Sequence, residues 1–436
     1  MTRGTVIMVL AALATAAGAY QMRPQPLPVA QFEDTGEPLF ASFTDPTLAT
    51  FLEVVHWDEG SAQAIRFSVE QKQGRWVIPS HNDYPADGTQ RMGKAAASFI
   101  GVQKDIYYGD SLSDHAAFGV LDPTGAEGKG DEKGKRITIK DASGTELVDV
   151  IVGKSIPDKQ GYYYVRYPGE KRVYGSKLQL DISTSFTDWI EKDLLHVDRD
   201  EIVRLVYDPY KVDESQGKVV GSNPILAERS GDEWSAAADV KLPKGKALDS
   251  MKIRQMVTAI DNIKIVGVRP RPQPLTLVAL QSKGFFVTPD GRRLFGNEGE
   301  TRIVTKDGLV YTLYFGEIAY GSGVALTAGL SGEEQPSEDE DAAGQQDNRY
   351  MFVDVHYDET LDTTLDKPAD ESESDEDAAE DPFSSPEDEQ KKLAGRERAE
   401  KLRQRFDAWF YVISDASFKQ IRKDPDELLK AAASDD

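Results

Sequence analysis

The residues best equipped to do chemistry are gathered in one short loop. Between Trp76 and the next helical pattern the chain reads Ile78-Pro79-Ser80-His81-Asn82-Asp83-Tyr84-Pro85-Ala86-Asp87, which sets a hydroxyl, an imidazole, carboxylates and a phenol within ten residues. Ser80, His81, Asp83 and Tyr84 are the candidate binding residues of this loop, and His115, from the segment SLSDHAAFGVLDP, is the candidate that joins them. Ser, His and Asp are the parts of an acyl-transfer triad, but a triad converges from separate elements, so adjacency in sequence does not make one. Two histidines with acids nearby are the parts of a metal site, yet no H-E-x-x-H and no close His pair is present. A structural account fits the same residues: Asp87 is expected to N-cap the following helix with Gln90 as its capping-box partner, and the two prolines to fix the chain's entry. No catalytic residue, metal site or cofactor is therefore assigned.

Other motif searches end in near misses. Ser322 lies in AYGSGV, where a G-x-S-x-G elbow needs glycine and the sequence has Tyr320. Gly128, Gly130 and Gly134 have the wrong spacing for a dinucleotide or phosphate cradle. The chain of 436 residues has no cysteine, which excludes disulfide frameworks, thiolate zinc sites and cysteine nucleophiles. With 39% hydrophobic residues there is ample material for a core.

The elements that must position the loop repeat along the chain. Trp76 ends one strand-like run and Trp234 another, and each is followed by a polar loop and an amphipathic helix, Gly88 to Gly101 and Ala247 to Asn262. Further on, Ile137 to Asp141 (ITIKD) resembles Ile303 to Asp307 (IVTKD). Each leads into an alternating strand, then into a tyrosine-rich strand, Tyr162 to Tyr167 and Tyr350 to Tyr357. Both halves are expected to close on a helix carrying F-x-x-W, Phe186 to Trp189 and Phe406 to Trp409, whose i, i+3 rings would share one face. Landmarks in the same order argue for a duplicated module. Period-two alternation joined by short Gly and Asp turns favours antiparallel hairpins, and helices after almost every strand, as a doubly wound fold needs, are missing. The expected fold is α+β: a first module over 45–200 and a second over 201–425, each of mainly antiparallel strands with packed helices. In the second module the loop from Ser235 to Lys246 lacks the histidine and the prolines in that arrangement, and this asymmetry is what singles out the first loop as a binding surface.

At the N-terminus, Arg3 precedes an uncharged, mostly apolar run from Gly4 to Tyr20, and the next charge is Arg23 in MRPQPLP. Export machinery reads that pattern. Residues 1–28 are expected to be a retained membrane anchor with a stiff Pro-rich spacer; the alternative is a signal peptide cleaved after Ala17-Gly18-Ala19. Either way the body is expected to be extracytoplasmic.

The net charge of −24, from 51 basic and 75 acidic residues, argues against nucleic-acid binding. It is concentrated. Glu333, Glu334, Glu338, Asp339, Glu340, Asp341 and Asp347 give −7, and from Asp358 to Glu389 fifteen acids face only Lys367, so the rest of the chain is nearly neutral. These acidic insertions, near 331–348 and 358–390, are expected to be solvated and disordered because they lack apolar residues to offset ordering entropy. No EF-hand pattern is present in them.

The run RWVIPSHNDYPADGTQRMGKAAASFIGVQKD, followed by SDHAAFGVLDP, resembles a family known only as domain of unknown function 4340, in the form seen in planctomycete-like bacteria, most closely over roughly 45–200. The resemblance implies an N-terminal membrane segment, an extracytoplasmic body and an accessory role beside the gliding-type transporter of the ABC class, with no established activity. The acidic insertions depart from that pattern. The leading expectation is thus a membrane-tethered extracytoplasmic binding or assembly module whose partners are envelope membrane proteins. The alternative is an envelope hydrolase using the His81 and His115 region, which requires both imidazoles to meet carboxylates in one pocket.

Overall fold

The computed structural model describes Thr15 and residues 34–238, 240, 242–321, 323–329, 347–365 and 385–432. The apolar run from Gly4 to Tyr20 lies, Thr15 apart, outside them, and so do most of the two acidic stretches. Among the described residues no helix is long and apolar enough to cross a membrane. The fold is α+β, with helices set among antiparallel sheets. By internal contacts the chain divides into two compact units: Met1–Arg66 with Met92–Ile182, and Phe67–Arg91 with Ser183–Asp436.

In the first unit, strand β1 (Phe51–Asp58) leads into β2 (Gln63–Lys72), at whose Arg66 the unit boundary falls. β3 (Arg75–Ile78) and β4 (Tyr84–Pro85) belong to the second unit, and the chain returns with β5 (Ile106–Gly109), β6 (Lys135–Lys140), β7 (Glu146–Ser155), β8 (Tyr162–Arg166) and β9 (Val173–Lys177). Hydrogen bonding orders these strands β2-β1-β6-β7-β8-β9-β5. Alternation sets the register: Val54 pairs with Ile137, which pairs with Val150, and Ile139 pairs with Val148, all of them buried. Ile151 faces the other way, into a cluster with Val120 and Val173. Gly153 is required there, since a Cβ would stand 2.4 Å from the Phe118 carbonyl oxygen. The β6–β7 turn is built by Asp141, whose Oδ1 accepts from the backbone N–H groups of Ser143 and Thr145.

The second unit continues with β10 (Ile202–Asp208), a hairpin of β11 (Lys211–Asp213) and β12 (Lys218–Val220), then β13 (Ile225–Ser230), β14 (Glu233–Ala236) and β15 (Lys246–Leu248). After the helix Ser250–Asp261 come β16 (Ile265–Pro270), a hairpin of β17 (Phe285–Val287) and β18 (Leu294–Gly296), β19 (Glu300–Thr305) and β20 (Asp307–Ile318). β21 (Arg349–Asp362), β22 (Trp409–Ile413) and β23 (Leu429–Ala431) complete it. The main sheet runs β14-β13-β10-β19-β20-β21-β22-β16, while β15 pairs with β23. One face buries Phe285, Tyr350, Phe352, Phe410 and Val412 together, with the Phe285 and Phe410 rings stacked at 5.9 Å. The cost of exposing such large rings makes this cluster a main stabiliser of the sheet.

Two details differ from the sequence reading. Phe406 is the last residue of the helix Pro386–Phe406 and Trp409 the first of β22, so that pair does not share a helical face as Phe186 and Trp189 do. After Ala408 the helical spacing gives way to the continuous apolar run W-F-Y-V-I, which starts at Trp409 and is buried throughout, and the strand pattern prevails. The acidic stretch is also narrower at both edges than 358–390. β21 continues through Asp362, where Tyr357 Oη donates to the Asp362 carboxylate at 2.8 Å. At the other edge Ser385 caps a helix that opens with Pro386 and carries Glu387, Asp388 and Glu389 in its first turn, where carboxylates meet the positive end of the helix dipole.

Candidate functional site

The loop singled out in the sequence lies in the second unit, where the segment Phe67–Arg91 packs. Pro79 opens a single 3-10 turn, Pro79–His81, and the chain then reverses through Asn82 and Asp83, both in the left-handed region at φ 57° and 60°. Short polar side chains tolerate that region best. The reversal returns the chain antiparallel, so Tyr84 pairs with Ile78. His81 points inward and Asp83 outward as a result.

His81 is 3% exposed, stacked on Phe186 at 4.6 Å with Phe67 edge-on at 5.9 Å. Its Nδ1 lies 3.0 Å from Ser80 Oγ and its Nε2 2.9 Å from Thr327 Oγ1, a hydroxyl from the helix Gly323–Ala328. Burial, helped by the Arg269 charge, lowers its pKa to about 4. The ring is therefore neutral at pH 7, and the position behind it that a triad gives to a carboxylate is taken by a threonine hydroxyl. Ser80 Oγ also accepts from the Ser68 backbone N–H at 3.3 Å. Asp83 is exposed and ion-paired with Lys72 at 2.8 Å. His115 belongs to the first unit, where it is buried and its Nε2–H donates to the Lys171 carbonyl oxygen at 2.8 Å. Thus the structure brings Ser80 and His81 into contact and puts His81 and Tyr84 against one ring, Phe186, while Asp83 and His115 are each bound elsewhere.

Asp87 does not cap the helix. The first helical residue is Thr89, so the position before it is Gly88, and a Cβ there would sit 2.8 Å from the Trp76 indole. Trp76 Nε1–H donates instead to Thr89 Oγ1 at 3.1 Å, and the Asp87 backbone N–H donates to the Trp189 carbonyl oxygen at 2.7 Å. Close approach of the indole selects glycine over a capping side chain.

Beyond Tyr84 the loop opens onto a cavity of about 430 Å³ lined by Tyr84, Asp87, Glu191, Arg405, Trp409 and Tyr411 with Pro85 and Ala86. Four elements build it. β4 supplies Tyr84; the chain just after the helix Phe186–Trp189 supplies Glu191; the last turn of the helix Pro386–Phe406 supplies Arg405; and alternation along β22 puts Trp409 and Tyr411 on one face. Arg405 is held by Glu191 at 3.1 Å, by the His196 ring and by the Asp193 carbonyl oxygen. Burial pushes the Tyr84 phenol up to about 12, against the pull of Arg405, and raises Tyr411 well above its ordinary value. Both are donors at neutral pH, not bases. The Tyr84 ring meets Trp409 edge-on at 5.0 Å. Asp87 and Glu191 are exposed while the two tyrosines are buried, so the cavity is charged at its open side and phenolic at its closed side. Among the described residues no group of three or more His, Asp or Glu is placed to hold a metal ion.

Sequence reasoning reached Tyr84 but not Glu191, Arg405 or Tyr411, and it read Trp409 only as core. The available signal was the short apolar, aromatic run at 409–413, which reads as a buried strand; nothing local marks Glu191 or Arg405.

Residues 76–282 match the family model described as Domain of unknown function (DUF4340). That is the family which the loop and helix motifs resemble, and the match begins at Trp76 itself. No curated protein and no solved structure matches the chain.

Proposed function

From a chain whose residues 76–282 belong to the DUF4340 family, we propose a membrane-tethered extracytoplasmic binding or assembly module, accessory to an envelope transport complex of the gliding-type ABC class. The observation that carries this reading is the repeated sheet. The first unit orders its strands β2-β1-β6-β7-β8-β9-β5 and the second β13-β10-β19-β20-β21-β22-β16, the same order in seven positions, with β14 outside β13. Along the chain a helix also follows a short strand in both halves, Thr89–Ala97 after β4 and Ser250–Asp261 after β15. Recurrence of a whole topology supports duplication of one α+β module, because independent chains have many other ways to order seven strands. A scaffold built twice, with dissimilar loops on the two copies, suits contact with partners more than a single reaction.

The tether is the run from Gly4 to Tyr20 with Arg3 before it and a Pro-rich spacer after it. If it is retained, the protein stays with membranes after an alkaline carbonate wash, and N-terminal mass analysis finds Met1 or Thr2. A soluble protein beginning at Tyr20 overturns the tether and leaves export standing. A hydrolase reading has the 3.0 Å contact of Ser80 with His81 in its favour. Against it stand a pKa of about 4, far from the value a general base needs at neutral pH, and Thr327 in place of a carboxylate.

A further inference from the structure

We propose that the cavity between Tyr84 and Tyr411 binds a neutral, hydroxyl-rich ring of sugar size. The inference goes beyond the assembly role and does not depend on it. Its starting point is two tyrosines, Tyr84 and Tyr411, whose rings are buried and which line the cavity, while their hydroxyls make no hydrogen bond to another described residue and keep access to solvent. Two hydroxyls on buried rings that open onto the same space are left to water, and a bound molecule with matching groups can take the place of that water. The cavity, at about 430 Å³, is within the roughly 300–1,000 Å³ of small-molecule sites.

Charge decides the class of ligand. An anion such as phosphate would face Asp87 and Glu191 and would find Arg405 already engaged with Glu191, the His196 ring and the Asp193 carbonyl. A cation would face Arg405. A wholly apolar ligand would leave the phenols without partners and would desolvate the carboxylates. What remains is a ligand whose groups both donate and accept and which carries no net charge. Sugar hydroxyls do both: they accept from the two phenols and donate to the carboxylates of Asp87 and Glu191. Trp409, in the same lining, offers the large, rigid apolar surface against which the C–H face of a pyranose packs.

The experiment uses the purified full chain. Glucose, galactose and N-acetylglucosamine are titrated to about 50 mM with intrinsic tryptophan fluorescence and saturation-transfer NMR as readouts, beside inorganic phosphate and choline. Binding of at least one sugar, weakened about fivefold by Tyr411→Phe and again by Tyr84→Phe, is expected, since each substitution removes one hydrogen bond and keeps the ring. Should either variant fail to fold by circular dichroism, Glu191→Gln at the exposed side replaces it with the same expected loss. No sugar binding at that concentration overturns the proposal. So does sugar binding that these substitutions leave unchanged, and so does phosphate or choline binding as tightly as any sugar.

Discussion

Two stretches lie between comparable elements and do different things with that place. Pro79 to Gly88 and Ala237 to Asp249 each run from a tryptophan-bearing hairpin strand to an amphipathic helix. In the second, the chain forms β15, pairs with β23 and ends on Asp249, whose side chain accepts from the N–H groups of Met251 and Lys252. That is a conventional helix start. In the first, β4 pairs with β3, His81 is driven into an aromatic pocket, Tyr84 is delivered to a cavity and glycine stands where a cap belongs because Trp76 lies over it. The difference teaches that hydrophobic pattern fixes the strands and helices on either side of both stretches, while the connection between them is free to specialise.

The largest expected effect separates the two connections by pH. His81 has its folded pKa lowered to about 4, below the unfolded value of about 6.5, so between those values the unfolded chain binds more protons. Its contribution is fully present above pH 6.5 and is lost as pH falls toward 4, amounting to about 3 kcal/mol. Urea unfolding at pH 7 and at pH 4.5 should show wild type losing more stability than His81→Gln; equal losses would mean the ring is not held neutral by burial. Next is Gly88→Val, expected to cost about 2 kcal/mol because the new side chain must displace the Trp76 indole. Gly245→Ala, in the second connection, has no atom within 4 Å of the added Cβ and should cost about 1 kcal/mol from its φ of +73° alone. Asp249→Ala should lose about 1 kcal/mol with its cap. Asp87→Ala should stay within about 0.5 kcal/mol. Equal losses for the two aspartates would erase the contrast between a capped and an uncapped helix start.

Much of this architecture was readable in the sequence because it rests on short-range regularities. ITIKD and IVTKD became the central strands β6 and β19, and the tyrosine-rich runs became β8 and β21, since alternation and turn chemistry are local. Where a helix gives way to a strand within three residues, as from Phe406 to Trp409, the local signals compete and the boundary was misplaced. Asp87 was misread for another reason. A capping residue is recognised by its own type, but the helix start was decided by the Trp76 ring, a neighbour in space about which the loop sequence says nothing. The site divides in the same way. Tyr84 stood out among dense polar neighbours, whereas Glu191, Arg405 and Tyr411 come from elements more than 100 residues away in the chain, and only tertiary packing assembles them.

The measurement that tests the assembly role most directly is a pulldown of the full-length protein from native membranes in mild detergent, with the recovered proteins identified by mass spectrometry. The account predicts recovery of envelope membrane proteins, transporter subunits of the ABC class among them, in amounts comparable to the bait. Recovery of the bait alone would contradict it.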